Sequence, residues 1–175
     1  VWASPELDIS EFDDTVTMHG SDSQTLDNML EWMLLGGMDL LQAMRILMPP
    51  ATQSLEYKDA DLAAFYEYYA INSEPWDGPA SVCFTDGTVI GAVLDRNGLR
   101  PLRYWVMEDD LVILGSETGV VDVPRSEVVR TGRIAPGEIF LLDLEAGEIV
   151  PSDELKHEIA TARPYATWVK EQKVA

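Results

Sequence analysis

Ala80-Ser81-Val82-Cys83-Phe84-Thr85-Asp86-Gly87-Thr88-Val89-Ile90-Gly91-Ala92-Val93-Leu94 reads as two strands joined by a tight turn. Thr85-Asp86-Gly87 carries the hairpin signal. In the second strand Ile90, Ala92 and Leu94 alternate with Val89, Gly91 and Val93, so both faces are apolar. That pattern predicts a central strand covered on both sides. Turn residues recur downstream at Arg96-Asn97-Gly98, Glu108-Asp109-Asp110 and Ala146-Gly147. Between them lie apolar runs at 102–107, 111–114, 138–144 and 148–150, with Pro124 and Pro136 in loops. The stretch 80–150 is therefore expected to form an antiparallel meander, with Cys83 buried as an inert thiol inside its strand.

Upstream the period changes to that of a helix. Ser21 and Asp22 are N-cap material before a stripe of Leu26, Met29, Leu30, Met33 and Leu34. Gly36-Gly37 stops that helix. A second helix is predicted over 39–48, with Leu40, Leu41, Met44 and Leu47 inward and Pro49-Pro50 as its end. A third is predicted over 59–71, with Leu62, Phe65, Tyr66 and Tyr69 on one side. Downstream, Ser152 opens a helix over 153–162 that Pro164 breaks. Helices segregated from hairpin-linked strands indicate an α+β fold. The expected organisation is one domain over 1–175: a lead-in at 1–19, a helical layer at 20–72, antiparallel strands at 80–150 and a C-terminal helix at 152–163. A sheet apolar on both faces needs a second sheet or helices on each side.

The composition narrows the function. Among 175 residues, 31 acids face 12 bases, for a net charge of −19. Such a surface repels phosphate backbones and anionic lipid, which argues against nucleic-acid and peripheral membrane binding. One cysteine makes neither an internal disulfide nor a thiolate metal site, and a reducing, cytoplasmic setting fits. No apolar run approaches the length of a membrane span. The chain starts at Val1 without a signal-peptide pattern or a methionine, as a processed or excised piece would. His19 and His157 are the only histidines, far apart in sequence, and neither a Ser-His-Asp triad nor a phosphate loop can be assembled. His19 adjoins the Gly20-Ser21-Asp22-Ser23 turn.

Asp22 is the residue with chemical promise. A carboxylate at a helix mouth is favoured by the exposed N–H groups. It can pair with a substrate ammonium group through a charge-assisted hydrogen bond. It can equally be a plain helix cap. Asp95-Arg96-Asn97-Gly98-Leu99-Arg100-Pro101-Leu102 is a charged turn. Gly115-Ser116-Glu117 and Ala135-Pro136-Gly137-Glu138 each read alone as loops.

In this order the segments resemble the class II glutamine amidotransferases of the N-terminal-nucleophile hydrolase superfamily. Gly20-Ser21-Asp22-Ser23-Gln24 is similar to their S-D-S/T-E turn, and 95–102 to their D-x-x-G-I-R-P-L hairpin. Ser116-Glu117 is similar to A-S-E, with Gly115 in place of alanine, and Pro136-Gly137-Glu138 to P-G-E. Within the class, the glutaminase domain of the glutamate synthase large chain resembles this sequence further. The shared pieces are Asp27-Asn28 after the first turn, Phe65 to Tyr68, Glu74 to Ala80, Phe84 to Gly87, Leu94 to Tyr104 and Arg163-Pro164-Tyr165. The resemblance spans about residues 7 to 170.

The resemblance implies a four-layer α/β/β/α sandwich and an enzyme in which an N-terminal cysteine attacks the side-chain amide of glutamine. A glutamyl thioester forms, ammonia leaves, and the cysteine's own α-amino group is the base. An Asn-Gly pair forms the oxyanion hole and an arginine holds the α-carboxylate. Asp22, with Ser21 and Gly20, matches the turn that binds the α-ammonium. Asp95, Gly98, Arg100, Pro101, Ser116, Glu117, Pro136, Gly137 and Glu138 match structural motif positions. In the family the ammonia aminates 2-oxoglutarate in a separate domain served by FMN and an iron–sulfur cluster; neither group is expected in this chain. The implied partners are glutamine and the remaining domains of glutamate synthase.

Departures from the family pattern shape the expectation. Val1 stands where the nucleophilic cysteine belongs, and the H-N-G-E-I-N segment and the carboxylate-binding arginine are absent. The chain is thus expected to be the C-terminal portion of the glutaminase domain, with N-terminal strands missing and no catalytic residue of its own. It is expected to be inactive alone and, with sheet edges exposed, to self-associate or to take a partner that completes the sheets. Two alternatives stay open: a non-catalytic remnant acting as a scaffold, and a fragment of another class II amidotransferase such as the amidophosphoribosyltransferase.

Overall fold

The computed structural model describes residue 17, residues 19–51 and residues 59–172. The expected lead-in at 1–19 therefore lies outside the described residues except for Thr17 and His19. The chain divides into two compact units. One holds the strands with Pro50, Ala51 and the start of the fourth helix; the other holds the remaining helical segments.

Among the described residues, seven strands form two antiparallel sheets. They are β1 (Ser81–Thr85), β2 (Val89–Leu94), β3 (Arg103–Met107), β4 (Val112–Gly115), β5 (Val128–Arg133), β6 (Ile139–Asp143) and β7 (Glu148–Val150). The first sheet runs β1-β2-β6-β7 and the second β4-β3-β5. The opening hairpin is as expected. Phe84 pairs with Gly91 and Thr85 with Ile90. Asp86 Oδ1 accepts from Thr88 N at 2.8 Å and from Val89 N at 3.0 Å across the turn. Donation from the Thr88 backbone, then from its hydroxyl and the Val89 backbone, holds the Asp86 carboxyl below its ordinary pKa.

The meander expected over 80–150 is corrected. β2 takes β6 as its second neighbour, not β3, and the chain leaves the first sheet at Asp95 to start the second. Strand order in sequence is therefore not strand order in space. β5 is a strand absent from the sequence reading. Its Val128-Val129-Arg130-Thr131-Gly132-Arg133 puts one glycine and two arginines where an alternating apolar pattern would announce a strand. It pairs with β3 through a register shift at Val106/Met107.

A shared apolar cluster explains the two-sided pattern of β2. Ala92 and Leu94 of β2 and Phe140 of β6 meet Leu102 and Ile134, with Tyr104, Val112 and Leu114 of the second sheet packed against them. The rings of Tyr104 and Phe140 lie 4.9 Å apart. Side chains alternate across a strand, so Gly91 and Val93 take the opposite face. There the ring of Phe84 covers Gly91, occupying the space a β-carbon would need.

The helical unit contains α1 (Asp22–Leu35), α2 (Leu40–Leu47), α3 (Ala60–Asn72), most of α4 (Ser152–Thr161) and α5 (Tyr165–Gln172). Helix α1 ends as expected at Gly36-Gly37. Gly37, at φ +82°, donates to Leu34 O at 2.9 Å, and Met38 donates to Met33 O at 3.1 Å. That is the Schellman closure, in which a glycine takes the left-handed conformation. Asp39 caps α2 and Asp59 caps α3.

Two expectations need amending here. Helix α2 buries Gln42, Ala43, Arg45 and Ile46 besides Leu40, Met44 and Leu47. A one-sided stripe underestimates it because tertiary partners meet Gln42, while Arg45 reaches the Tyr66 hydroxyl but leaves its Nε without a partner among the described residues. Gln42 Nε2 donates to the Tyr69 hydroxyl at 2.8 Å and to the Tyr165 hydroxyl at 2.7 Å. Pro164 does end the helical run begun at Ser152, but a new helix, α5, starts immediately after it. Its Tyr165 is buried edge-on against Phe65, with ring centroids 5.3 Å apart. Proline is as compatible with a helix start as with a helix stop. The Ser152 hydroxyl accepts from Ile139 N at 3.0 Å, bridging to β6.

Gly91→Ala is expected to destabilise the protein by about 1–3 kcal/mol, because the added carbon overpacks against Phe84. Combining it with Phe84→Leu should recover part of that loss in a denaturant double-mutant cycle. Strict additivity of the two changes would contradict the contact.

Candidate functional site

The start of α1 separates two roles that the sequence left merged. Ser21 is the N-cap: its backbone is extended and its hydroxyl accepts from Gln24 N at 3.3 Å. Asp22 is the first helical residue, exposed, and its carboxylate makes no hydrogen bond among the described residues. Gly20 is exposed, with the Gln24 side chain lying where a β-carbon would stand. Ser21 and Ser23 hydroxyls lie 3.1 Å apart. The helix mouth thus presents a carboxylate that the cap does not consume.

Residues that the sequence reading gave no site role position this mouth. Asn28 Oδ1 accepts from Thr17 N at 3.2 Å and from Thr17 Oγ1 at 3.0 Å. The Thr25 hydroxyl lies 3.3 Å from Thr17 O and 3.4 Å from Ser21 O. Asn28 and Thr25 project from successive turns of α1, so the helix holds the chain that leads into its own N-terminus. The spacing of Thr25 and Asn28, three residues apart on one helix face, was the available signal. His19 is exposed in the turn before the cap.

A second assembly lies in the strand unit. Asp95 is 1% exposed, and its carboxylate accepts only backbone donors. Ala80 N reaches Oδ1 at 3.2 Å, Leu99 N at 3.0 Å and Arg100 N at 3.4 Å, while Asn97 N reaches Oδ2 at 3.1 Å. Gly98, at φ +62°, turns the loop and is covered by Pro136. Gly137, at φ +78°, stands where a β-carbon would meet Pro50 at 2.8 Å, and Ala51 N donates to Arg96 O at 3.1 Å. Glu138 closes its own turn by accepting from Ala135 N at 2.7 Å. Asp95, Gly98, Pro136, Gly137 and Glu138 therefore meet in one knot of loops. Arg100 and Pro101 are exposed beside it. Ser116 and Glu117 sit elsewhere, exposed just after the edge strand β4.

Cys83 corrects an expectation. It is exposed, not buried, because β1 is the edge of its sheet. Desolvation by its surroundings nevertheless pushes the thiol above its ordinary pKa. The thiolate is the nucleophilic form, so this environment disfavours reactivity near neutral pH. Among the described residues, no group of three His, Cys, Asp or Glu side chains is placed to hold a metal ion. A single cysteine cannot ligate an iron–sulfur cluster, which takes several thiolates. His157 Nδ1 lies 3.9 Å from Asp59 Oδ2, both solvent-accessible, a weak surface pairing. No helix among the described residues is long and apolar enough to cross a membrane.

Comparison with known proteins agrees with this pattern of motifs. The family described as class-II glutamine amidotransferases matches residues 2–168. The chain is 44% identical over 155 residues to the large chain of NADPH glutamate synthase from Bacillus subtilis, covering 89% of this chain and 10% of that protein. It is 41% identical over 174 residues to the chloroplastic ferredoxin-dependent glutamate synthase of Oryza sativa subsp. japonica, covering 98% and 11%. Against the NADH glutamate synthase of Saccharomyces cerevisiae it is 44% identical over 151 residues, covering 86% and 7%. The chain thus spans between 7% and 11% of the length of these relatives.

Asp95→Asn is expected to cost about 2–3 kcal/mol, since an amide nitrogen replaces one acceptor and faces backbone donors inside a closed turn. Urea unfolding measures it. A loss below about 0.5 kcal/mol, the scale of an ordinary surface change, would show that the carboxylate is dispensable.

Proposed function

The chain belongs to the class-II glutamine amidotransferases, and from that premise we propose that it forms the ammonium-binding part of a glutaminase domain of glutamate synthase. The observation that carries this reading is the free carboxylate of Asp22 beside a helix N-terminus already capped by Ser21. A substrate α-ammonium group has three donors and a full charge. Asp22 offers it a charge-assisted acceptor at a helix end that favours negative charge. Ser21 and Gly20 shape the turn. The Thr17–Asn28 bonds hold the approach to the carboxylate in place. Orientation of the bound amino acid is then fixed before its side-chain amide is attacked.

In this reading the overall chemistry is hydrolysis of glutamine to glutamate and ammonia. The nucleophilic thiol, its amine base and the oxyanion-hole donors come from residues other than these 175. Cys83, the one thiol present, is disfavoured as a thiolate and lies on an edge strand. The ammonia would pass to another domain, where FMN and an iron–sulfur cluster supply the electrons for amination of 2-oxoglutarate. Two sheets sharing one core, with five α-helices among the described residues, support the α/β/β/α sandwich proposed for the domain. The knot around Asp95 is proposed as architecture and not as a substrate contact, since its carboxylate is saturated by backbone donors.

Two outcomes follow. In an active enzyme containing this domain, Asp22→Ala should raise KM for glutamine by roughly 10–100-fold, the scale of a lost charged hydrogen bond. Melting temperature should barely move, because Asp22 is exposed and does not cap. An unchanged KM would return Asp22 to a structural role. The purified 175-residue chain should release no ammonia from glutamine in a coupled glutamate-dehydrogenase assay; steady turnover by a homogeneous sample would refute the assignment of the nucleophile to other residues.

A further inference from the structure

The outer face of the second sheet brings together three arginines, Arg103, Arg125 and Arg133, in a chain whose net charge is −19. Tyr104 packs into the core between the sheets, so by strand alternation Arg103 and Trp105 stand on the opposite, outer face. The register sets Arg133 directly across from Arg103 and Thr131 directly across from Trp105. Arg125, from the 3-10 turn before β5, completes the rim of a groove of about 580 Å³ floored by Trp105. Arg130 does not belong to it, because its guanidinium lies 5.5 Å from the Tyr104 ring.

None of Arg103, Arg125 and Arg133 forms an ion pair among the described residues, and no carboxylate lines the groove. Like charges placed directly opposite in a sheet are destabilising. The groove runs on into a smaller cavity of about 180 Å³ that shares Trp105, Thr118, Arg125 and Val128 with it. The smaller cavity is lined mainly by apolar residues, including Val120 and Val121, which are 55% and 49% exposed. Asp122 is its one carboxylate. The combined surface joins unpaired arginines, a tryptophan and exposed valines. Arginine and tryptophan with apolar neighbours make up the composition typical of interface centres, and not of a plain solvated face.

We propose that the outer face of the β4-β3-β5 sheet docks a protein segment that bears carboxylates alternating with apolar side chains. The carboxylates take bidentate hydrogen bonds from Arg103, Arg133 and Arg125, and an apolar side chain enters the cavity beside Val120 and Val121. An inorganic anion would use only the first of these features. A second copy of the whole chain, also at net charge −19, would meet long-range repulsion.

The test uses the 175-residue chain and a short fluorescein-labelled peptide alternating glutamate with leucine and phenylalanine, measured by fluorescence polarisation at low salt without glutamine. Binding is expected, weakening by about tenfold or more in Arg103→Glu/Arg133→Glu and falling with added salt. Arg103→Gln/Arg133→Gln should weaken binding while leaving the melting temperature equal or higher, because it removes a like-charge pair. That separates lost binding from lost folding. The proposal is overturned if the peptide does not bind, or if both double variants bind it like the parent chain. It is also overturned if citrate at equal carboxylate concentration displaces the peptide fully, which would mark a small-anion site. Concentration-dependent self-association that the charge reversal abolishes would overturn it in favour of a second copy. The Asp22 reading is untouched by any of these results, since no glutamine is present.

Discussion

The strand unit depends on one buried carboxylate. At Asp95 the chain must leave the first sheet, reverse, and enter the second within a few residues, and a segment that turns so tightly cannot pair its own backbone. Four of its neighbours, Ala80, Asn97, Leu99 and Arg100, solve the problem by donating to the same side chain. A neutral residue would leave those donors facing a closed interior, where an unmet N–H is expensive. The same side chain ties the start of β1 to the end of β2, because Ala80 is hydrogen-bonded both to its carboxylate and to its backbone nitrogen. Sheet register, sheet crossing and the loop knot at Pro136 and Gly137 all hang on that anchorage.

Charge is used in the opposite way at the helix mouth. Asp95 is an anion consumed by structure, whereas Asp22 is an anion left over by it. The difference follows from the neighbouring serine. Ser21 supplies the cap oxygen, so the carboxylate one residue later is favoured by the helix end without being tied to it. Thr17, Thr25 and Asn28 spend their hydrogen bonds on holding the incoming chain. A ligand-binding carboxylate needs both conditions: a fixed base and an uncommitted tip.

What could be read from the residues was local. Helix limits set by Ser21, Asp39, Gly36-Gly37 and Pro49-Pro50, and hairpins set by Asp86-Gly87 and Ala146-Gly147, are consequences of backbone chemistry within a few positions. Non-local facts escaped. That β2 pairs with β6 depends on the long return of the chain after the second sheet, and nothing in either strand alone encodes it. β5 was hidden because its outward positions carry Thr131 and Arg133, and its inward Gly132 is filled by the ring of Tyr104 from the neighbouring strand. Gln42 was not among the residues expected inward, because the two tyrosine hydroxyls that satisfy it come from 27 and 123 residues away. Cys83 looked buried because the strand is apolar, but burial at a sheet edge depends on which strand stands next to it. At the site, Asp22 was legible as a candidate; its separation from the cap was not, since Ser21 and Asp22 are equally good capping types.

The proposed chemistry and most of the family motifs fall on different residues. Most of the motif positions, Asp95, Gly98, Pro136, Gly137 and Glu138 among them, are occupied with turns: they accept backbone donors, adopt positive φ or pack a proline against a glycine. Constraints of that kind admit very few side chains, so they leave a strong imprint on sequence without touching a substrate. Asp22 is constrained by almost nothing in its own fold. Its carboxylate has no hydrogen-bond partner among the described residues, and many residues could start that helix once Ser21 has capped it. Under the proposed function, a carboxylate at that place is accounted for by the ammonium group it would bind, and the rigid motifs are accounted for by what they hold up.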